Sequence, residues 1–265
     1  MNTKTLSSRA LSVIDQYRHF AVGSAVCNVP YFNNKASRAR ATLRTYGGKG
    51  SPKDIFEEVQ GLMIKSHISP SLLNDEALKK MLVENNIGID CSGFAYYVLN
   101  AENEERGYGS LDKHIHFTSC KGIVGKIRCH FRPVENCDVA TFANDKNSRI
   151  IAIKEIQVGD VITMLAKIDS NSDTQIRNTE RDHILIIHQV DYQNFVPIKI
   201  YYSHTVAYPE DGLYGTGVKQ GSIEILDLNK SITEQSWSEN ESDTNNRIFN
   251  RAQISNTEVR RVIKD

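Results

Sequence analysis

The chain has 265 residues, and its 32 Lys and Arg balance 32 Asp and Glu, so the formal net charge is zero. That balance excludes a general electrostatic pull toward nucleic acid or an anionic membrane. No apolar run approaches the roughly 18 residues that a membrane span needs, and the length suits one large domain or a domain with additions.

Near the start, Leu6, Ala10, Val13, Ile14 and Tyr17 fall at helical spacing, which predicts a packing helix over residues 5–20. Arg9, Asp15, Arg18 and His19 interrupt any apolar signal core, so no signal peptide is expected. There are five cysteines: Cys27, Cys91, Cys120, Cys129 and Cys137. An odd number without a secretion signal points to reduced thiols and a cytoplasmic location. Lys35 to Tyr46 reads as a short basic helix whose Arg38, Arg40 and Arg44 suit an anion site or, as the plainer reading, a solvated face. Gly47-Gly48-Lys49-Gly50-Ser51-Pro52 breaks the chain, but it lacks the Gly-Lys-Ser/Thr ending of a phosphate loop, which argues against nucleotide binding. Ser51 then caps a helix with Pro52 at its first position and Asp54 in its first turn; Ile55, Phe56, Val59, Leu62 and Met63 give it a buried face. Ser69-Pro70 and Asn74-Asp75 open two further helical stretches, to about Glu84.

The next stretch is Gly88-Ile89-Asp90-Cys91-Ser92-Gly93-Phe94. Asp90 is a good N-cap and Gly88 a turn residue, while Phe94, Tyr97 and Val98 share one helix face. Cys91 is therefore placed in a first helical turn, where unpaired N–H groups and the positive dipole end should depress its pKa. The same N–H groups suit an oxyanion. A small buried cysteine at a helix start is the plainer reading of the same residues. Residues 102–150 resist assignment. His114, His116, Cys120, Cys129, His130 and Cys137 crowd there, but no CxxC or HxxxH pair exists, so no metal site is expected.

From residue 150 the pattern turns to β. Ile150–Ile153 and Val161–Leu165 are short strands, Asp169 to Arg181 a polar loop, 183–190 and 196–204 an antiparallel pair, and 221–226 a further strand. The period of two puts His183 on the face of Leu185 and Ile187, and His188 on the other, so only one can meet Cys91. Ile200, Tyr202 and His204 likewise share a face. From Asn229 the chain is polar, anchored by Trp237, and returns as a final strand at 258–263.

Taken in order, the Asp90-Cys91-Ser92-Gly93-Phe94 cysteine, the Val158-Gly159-Asp160-Val161 turn and the His183-Ile184-Leu185-Ile186-Ile187 strand resemble the NlpC/P60 branch of papain-like cysteine hydrolases, over roughly residues 30–205. The resemblance implies an α+β fold in which a helix carrying the cysteine packs on an antiparallel sheet. Residues 1–86 are then a mostly helical N-terminal part packed on the core, 87–228 the catalytic core, and 229–265 a polar extension. It implies Cys91 as nucleophile, His183 as base and His204 as the group that orients it, with His188 outside the chemistry. The family's active-site tyrosine matches Tyr31, after Pro30, or Tyr46, which two glycines follow. With that tyrosine, Asp90 and Ser92 are expected around the oxyanion and substrate. No cofactor and no metal is implied.

The implied activity is hydrolysis of an amide bond in a peptide, often one from the bacterial cell wall (peptidoglycan). With no signal peptide expected, recycled muropeptides, phage-type lysis and other amides or esters stay open as substrates. The residues equally permit acyl transfer to an amine, or a papain-like module that binds without catalysis. Neither nucleic acid nor a membrane span is expected among its partners, and the oligomeric state is not legible.

Overall fold

The computed structural model describes residues 1–33, 44–117, 120–167, 182–239 and 246–263. Strand β1 (Asn2–Thr5) leads into helix α1 (Ser8–Arg18), capped by Ser7, and then into a hairpin of β2 (Phe20–Val22) and β3 (Ala25–Cys27). Helix α2 (Pro52–Lys65) starts with a complete capping box. Ser51 Oγ accepts the Asp54 N–H at 3.1 Å, Asp54 Oδ2 accepts the Ser51 N–H at 2.8 Å, and Pro52 sits where its missing N–H costs nothing. Asn74 caps α3 (Asp75–Glu84), and Asp90 caps α4 (Cys91–Glu105). Then come α5 (Gly122–Phe131) and the single turn α6 (Val139–Phe142). Strands β4 (Ser148–Ile150), β5 (Val161–Ala166), β6 (His183–Gln193), β7 (Val196–Val206), β8 (Gly217–Glu224) and β9 (Ser236–Ser238) follow. Helix α7 (Arg247–Ile254) runs directly into β10 (Ser255–Val262). The fold is α+β, with seven α-helices and ten strands among the described residues.

The large sheet is antiparallel, in the order β4-β10-β5-β6-β7-β8-β9, and β1 pairs with the second half of β6. Side chains alternate between its faces, and both faces are buried. Val161, Ile184, Ile186 and Val218 join the core formed with α1 to α4. Ile162, Met164, Leu185, Ile187, Ile200 and Tyr202 pack with Trp237 and with Ile248 and Ala252 of α7. Double burial is why 184–187 is an unbroken apolar run. The Val158–Val161 turn closes onto this sheet: Gly159, at φ 85°, donates to Ile187 O at 2.9 Å, and Asp160 accepts from Arg261 of β10 at 2.7 and 2.9 Å.

The described part of residues 1–86 is mostly helical, as expected, and also contributes β1 to the large sheet and the β2–β3 hairpin. Trp237 anchors the described part of the polar extension as expected, its Nε1 donating to Ile232 O at 2.9 Å, and the final strand β10 enters between β4 and β5. Several expectations need correction. Residues 153–155 form a 3₁₀ turn instead of continuing β4. Gly88 is not the turn residue. The turn is at Asn85–Asn86, with Asn86 at φ 55°, and Gly88 is required because a Cβ there would lie 2.4 Å from Pro30 O. Nor are all five thiols reduced: Cys120 and Cys129 are disulfide-bonded, their Cα atoms 6.2 Å apart, while Cys27, Cys91 and Cys137 are free. The pairing follows from α5 folding back over Cys120. The expected basic helix falls largely outside the described residues, and the loop 169–181 wholly so. Among the described residues no helix is long and apolar enough to cross a membrane, and no group of three or more His, Cys, Asp or Glu is placed to hold a metal.

Candidate active site

Cys91 is the first residue of α4. The Asp90 cap accepts the Gly93 N–H at 2.6 Å, and the same oxygen receives Lys49 Nζ at 2.8 Å. Lys49 also donates to Ser92 Oγ at 2.6 Å and to Cys137 O at 2.9 Å. Burial disfavours the Lys49 charge, but the Asp90 carboxylate outweighs it and holds the ammonium above its ordinary pKa. The backbone delivers Lys49 by way of Gly48, at φ 72°, whose carbonyl accepts the Asp90 N–H at 2.8 Å. No other residue fits there, since a Cβ would lie 2.1 Å from Phe32 O. The hydroxyls of Tyr97 and Tyr17 hold the next two carbonyls, of Lys49 and Gly50, at 2.8 and 2.9 Å. Asp90 and Ser92, expected around the oxyanion and substrate, are both bonded to Lys49. Both side chains are buried. What the helix start offers an oxyanion is its backbone N–H groups.

Cys91 is only 5 % exposed, and its sulfur accepts a hydrogen bond from the Ile184 N–H, next to His183. Burial pushes the thiol up to about 12, and the Asp90 charge adds to this; Arg251, Lys49 and the Ile184 N–H oppose it. The depressed pKa expected at a helix start is therefore not found, because removal from water outweighs the groups that favour a thiolate.

His183 opens β6, and His204 lies near the end of β7. Their Nε2 and Nδ1 atoms are 2.8 Å apart, and His204 Nε2 lies 2.8 Å from Glu239 Oε1. The Tyr208 hydroxyl donates to the same carboxylate at 2.9 and 3.1 Å. His183, His204 and Glu239 are all buried. Burial would raise the Glu239 carboxyl, but His204 and Tyr208 hold it below its ordinary value. An ionised Glu239 only accepts, so His204 carries its proton on Nε2 and accepts on Nδ1. His183 must then donate from Nε2, which leaves its lone pair on Nδ1. The hydrogen-bond network assigns this tautomer. Burial first, and then the Arg251 charge, keep the His183 pKa well below the histidine value, so it rests neutral. His188 is elsewhere, with Nδ1 3.0 Å from Ser203 Oγ, and burial with Arg18 lowers it to about 4.

Of the two tyrosines, Tyr31 is the one beside Cys91. Its backbone bridges to Ile89, its hydroxyl accepts from Asn33 Nδ2 at 3.3 Å, and burial plus the charges of Cys91 and Asp90 raise its pKa. A cavity of about 290 Å³ adjoins it, lined by Phe32, Leu82, Ile87, Leu213 and Thr216 among others. The Tyr46 hydroxyl is instead bonded to Glu58 of α2.

Three residues of this centre escaped the sequence reading. Lys49 lies in a glycine-rich stretch whose sequence carries no signal for a buried ammonium. Glu239 lay in a polar run with no periodicity. Arg251 carries a readable signal, being one helical turn after Arg247. Arg247 stacks on Tyr208, 3.9 Å from the ring centroid, and Arg251 adds positive charge at Cys91, His183 and Tyr31. No family model, curated protein or solved structure matches this chain.

Proposed function

We propose that the protein is a cysteine hydrolase with a papain-like, NlpC/P60-type core that cleaves an amide bond through Cys91, His183 and His204. One arrangement carries this reading: a cysteine at a capped helix start, bonded to the N–H beside a buried His183–His204–Glu239 chain. In the proposed reaction Cys91 Sγ attacks the carbonyl carbon as His183 Nδ1 takes the thiol proton. The imidazolium donates through Nε2 to His204, which Glu239 backs. Backbone N–H groups of the first turn of α4, with the Tyr31 hydroxyl, receive the oxyanion. His183 returns the proton to the leaving amine, and water, deprotonated by the same imidazole, releases the acid from the thioester. Thiol and imidazole both rest neutral, so the proton moves during attack, and Arg251 steadies the negative charge forming on sulfur. Peptide amides of the bacterial cell-wall type are the substrate class to test first.

The experiment is product analysis on such peptides. Free acid released without an amine acceptor supports hydrolysis, whereas product only with an acceptor supports acyl transfer. Cys91→Ala should abolish turnover with the fold intact, and undiminished turnover in it ends the proposal. The near-complete burial of Cys91 favours a second reading, a papain-like module that binds without catalysis. Ordinary slow alkylation of Cys91, with no product from any amide or ester, would support that reading.

A further inference from the structure

Helix α5 turns its apolar side outward. Its inward positions are Gly125, where a Cβ would lie 2.9 Å from the Cys120 carbonyl carbon, and Cys129, which is buried and disulfide-bonded to Cys120. At about 100° per residue, Ile123, Val124, Ile127 and Phe131 fall in one arc opposite those two. They are 80, 81, 54 and 70 % exposed. Exposed basic residues border the arc on both sides, Lys126 and His130 on one, Lys121, Arg128 and Arg132 on the other. No Asp or Glu occurs from Lys121 to Val134. The nearest, Glu135, is shared by Arg132 and Arg44 at 3.1 and 3.0 Å. In a chain with no net charge, this is a local segregation of apolar and positive groups.

We propose that α5 is an interfacial helix that docks the protein on an anionic phospholipid bilayer. The four apolar side chains enter the boundary between headgroups and acyl chains, and the basic residues meet the lipid phosphates. A protein groove would cover the apolar arc, but it has no need of cations along both borders; an anionic headgroup layer matches both features at once. The attachment is firm, because α5 leads through buried Val134 to Cys137, whose carbonyl accepts Lys49 Nζ at 2.9 Å. A docked α5 therefore holds the Cys91 helix start at a fixed height above the membrane. The inference does not depend on the hydrolase reading.

Vesicle flotation tests it. At low salt the protein should float with vesicles containing phosphatidylglycerol, and not with pure phosphatidylcholine. Added salt should release it. The exposed-face variant Ile123→Asn/Phe131→Asn should lose at least about tenfold in binding, and Lys121→Gln or Lys126→Gln about fivefold each. Unchanged circular dichroism in these variants controls for folding. No flotation with either vesicle, or flotation that the apolar variant leaves undiminished, overturns the proposal. So does a dimer in sedimentation velocity that the apolar variant dissociates, since a second copy is then what covers the face.

Discussion

Lys49 Nζ and Asp90 Oδ1 lie 2.8 Å apart, both groups buried, at the cap of the first turn of α4. Such a pair adds little net stability, but removing one partner strands the other charge. Lys49→Met should lower the unfolding free energy by about 3–5 kcal/mol, read by urea denaturation. Lys49→Met/Asp90→Asn should recover part of that loss. An equal loss in both would show that the lysine stem matters and the charge does not.

Glu239 sets the direction of the proton chain, so Glu239→Gln should reduce kcat while leaving KM nearly unchanged. The loss should be smaller than that of His183→Ala, expected on the order of 10²–10⁴. His204→Ala should fall between them, and His188→Ala should be nearly silent. Steady-state kinetics on the four variants settles the order. A large effect at His188 with none at His183 would move the base to the other face of β6.

The Cys91 thiol, pushed up to about 12, should alkylate faster as pH rises, with no plateau between about pH 6 and 9. Arg251 lowers this thiol and also lowers His183. Arg251→Gln should therefore slow iodoacetamide labelling of Cys91 at any fixed pH and let His183 protonate more readily. Mass spectrometry of Cys91 against Cys27 as internal reference reads the first effect. A rate that levels off near pH 6 would mean the thiolate forms without substrate.

Acid should destabilise the fold through its buried histidines. His188 titrates near 4 when folded against 6.5 unperturbed, and His183 is shifted the same way. Above pH 6.5 both states are neutral and their stabilising effect is fully present. As pH falls from 6.5 toward 4, only the unfolded chain gains protons, and stability is lost, by about 3 kcal/mol for His188. Melting temperatures between those two values should fall on acidification, and His188→Asn should flatten the fall. A wild-type profile already flat across that window would mean that neither histidine is held neutral by the fold.

Elements with local signals were legible. Ser51 with Pro52 and Asp54, Asn74 and Asp90 each announce a helix through a side chain that caps its own first turn. The β6–β7 hairpin announces itself through apolar period and length, and the alternation separates His183 from His188 and groups His204 with Ile200 and Tyr202. What stayed hidden depends on distant partners. β1 is a short polar strand whose pairing with β6 no local pattern encodes. Glu239 matters only because His204, thirty-five positions earlier, meets it. The raised Cys91 pKa reflects burial in the folded core, which the heptapeptide around the cysteine does not encode by itself.

The place of β10 in the sheet has a consequence for biosynthesis. β5 and β6 leave the ribosome long before their β10 neighbour exists, so the nascent sheet carries an unpaired β5 edge until the last strand arrives. Glu239 and Arg251 are translated in the same late interval. Cys91 and His183 are thus made early but stay disconnected from Glu239 and Arg251 until the sheet closes. Stalled nascent chains ending before residue 239 should show β5 open to protease and Cys91 without its mature environment. Protection of β5 in such chains would mean that the sheet closes by another route.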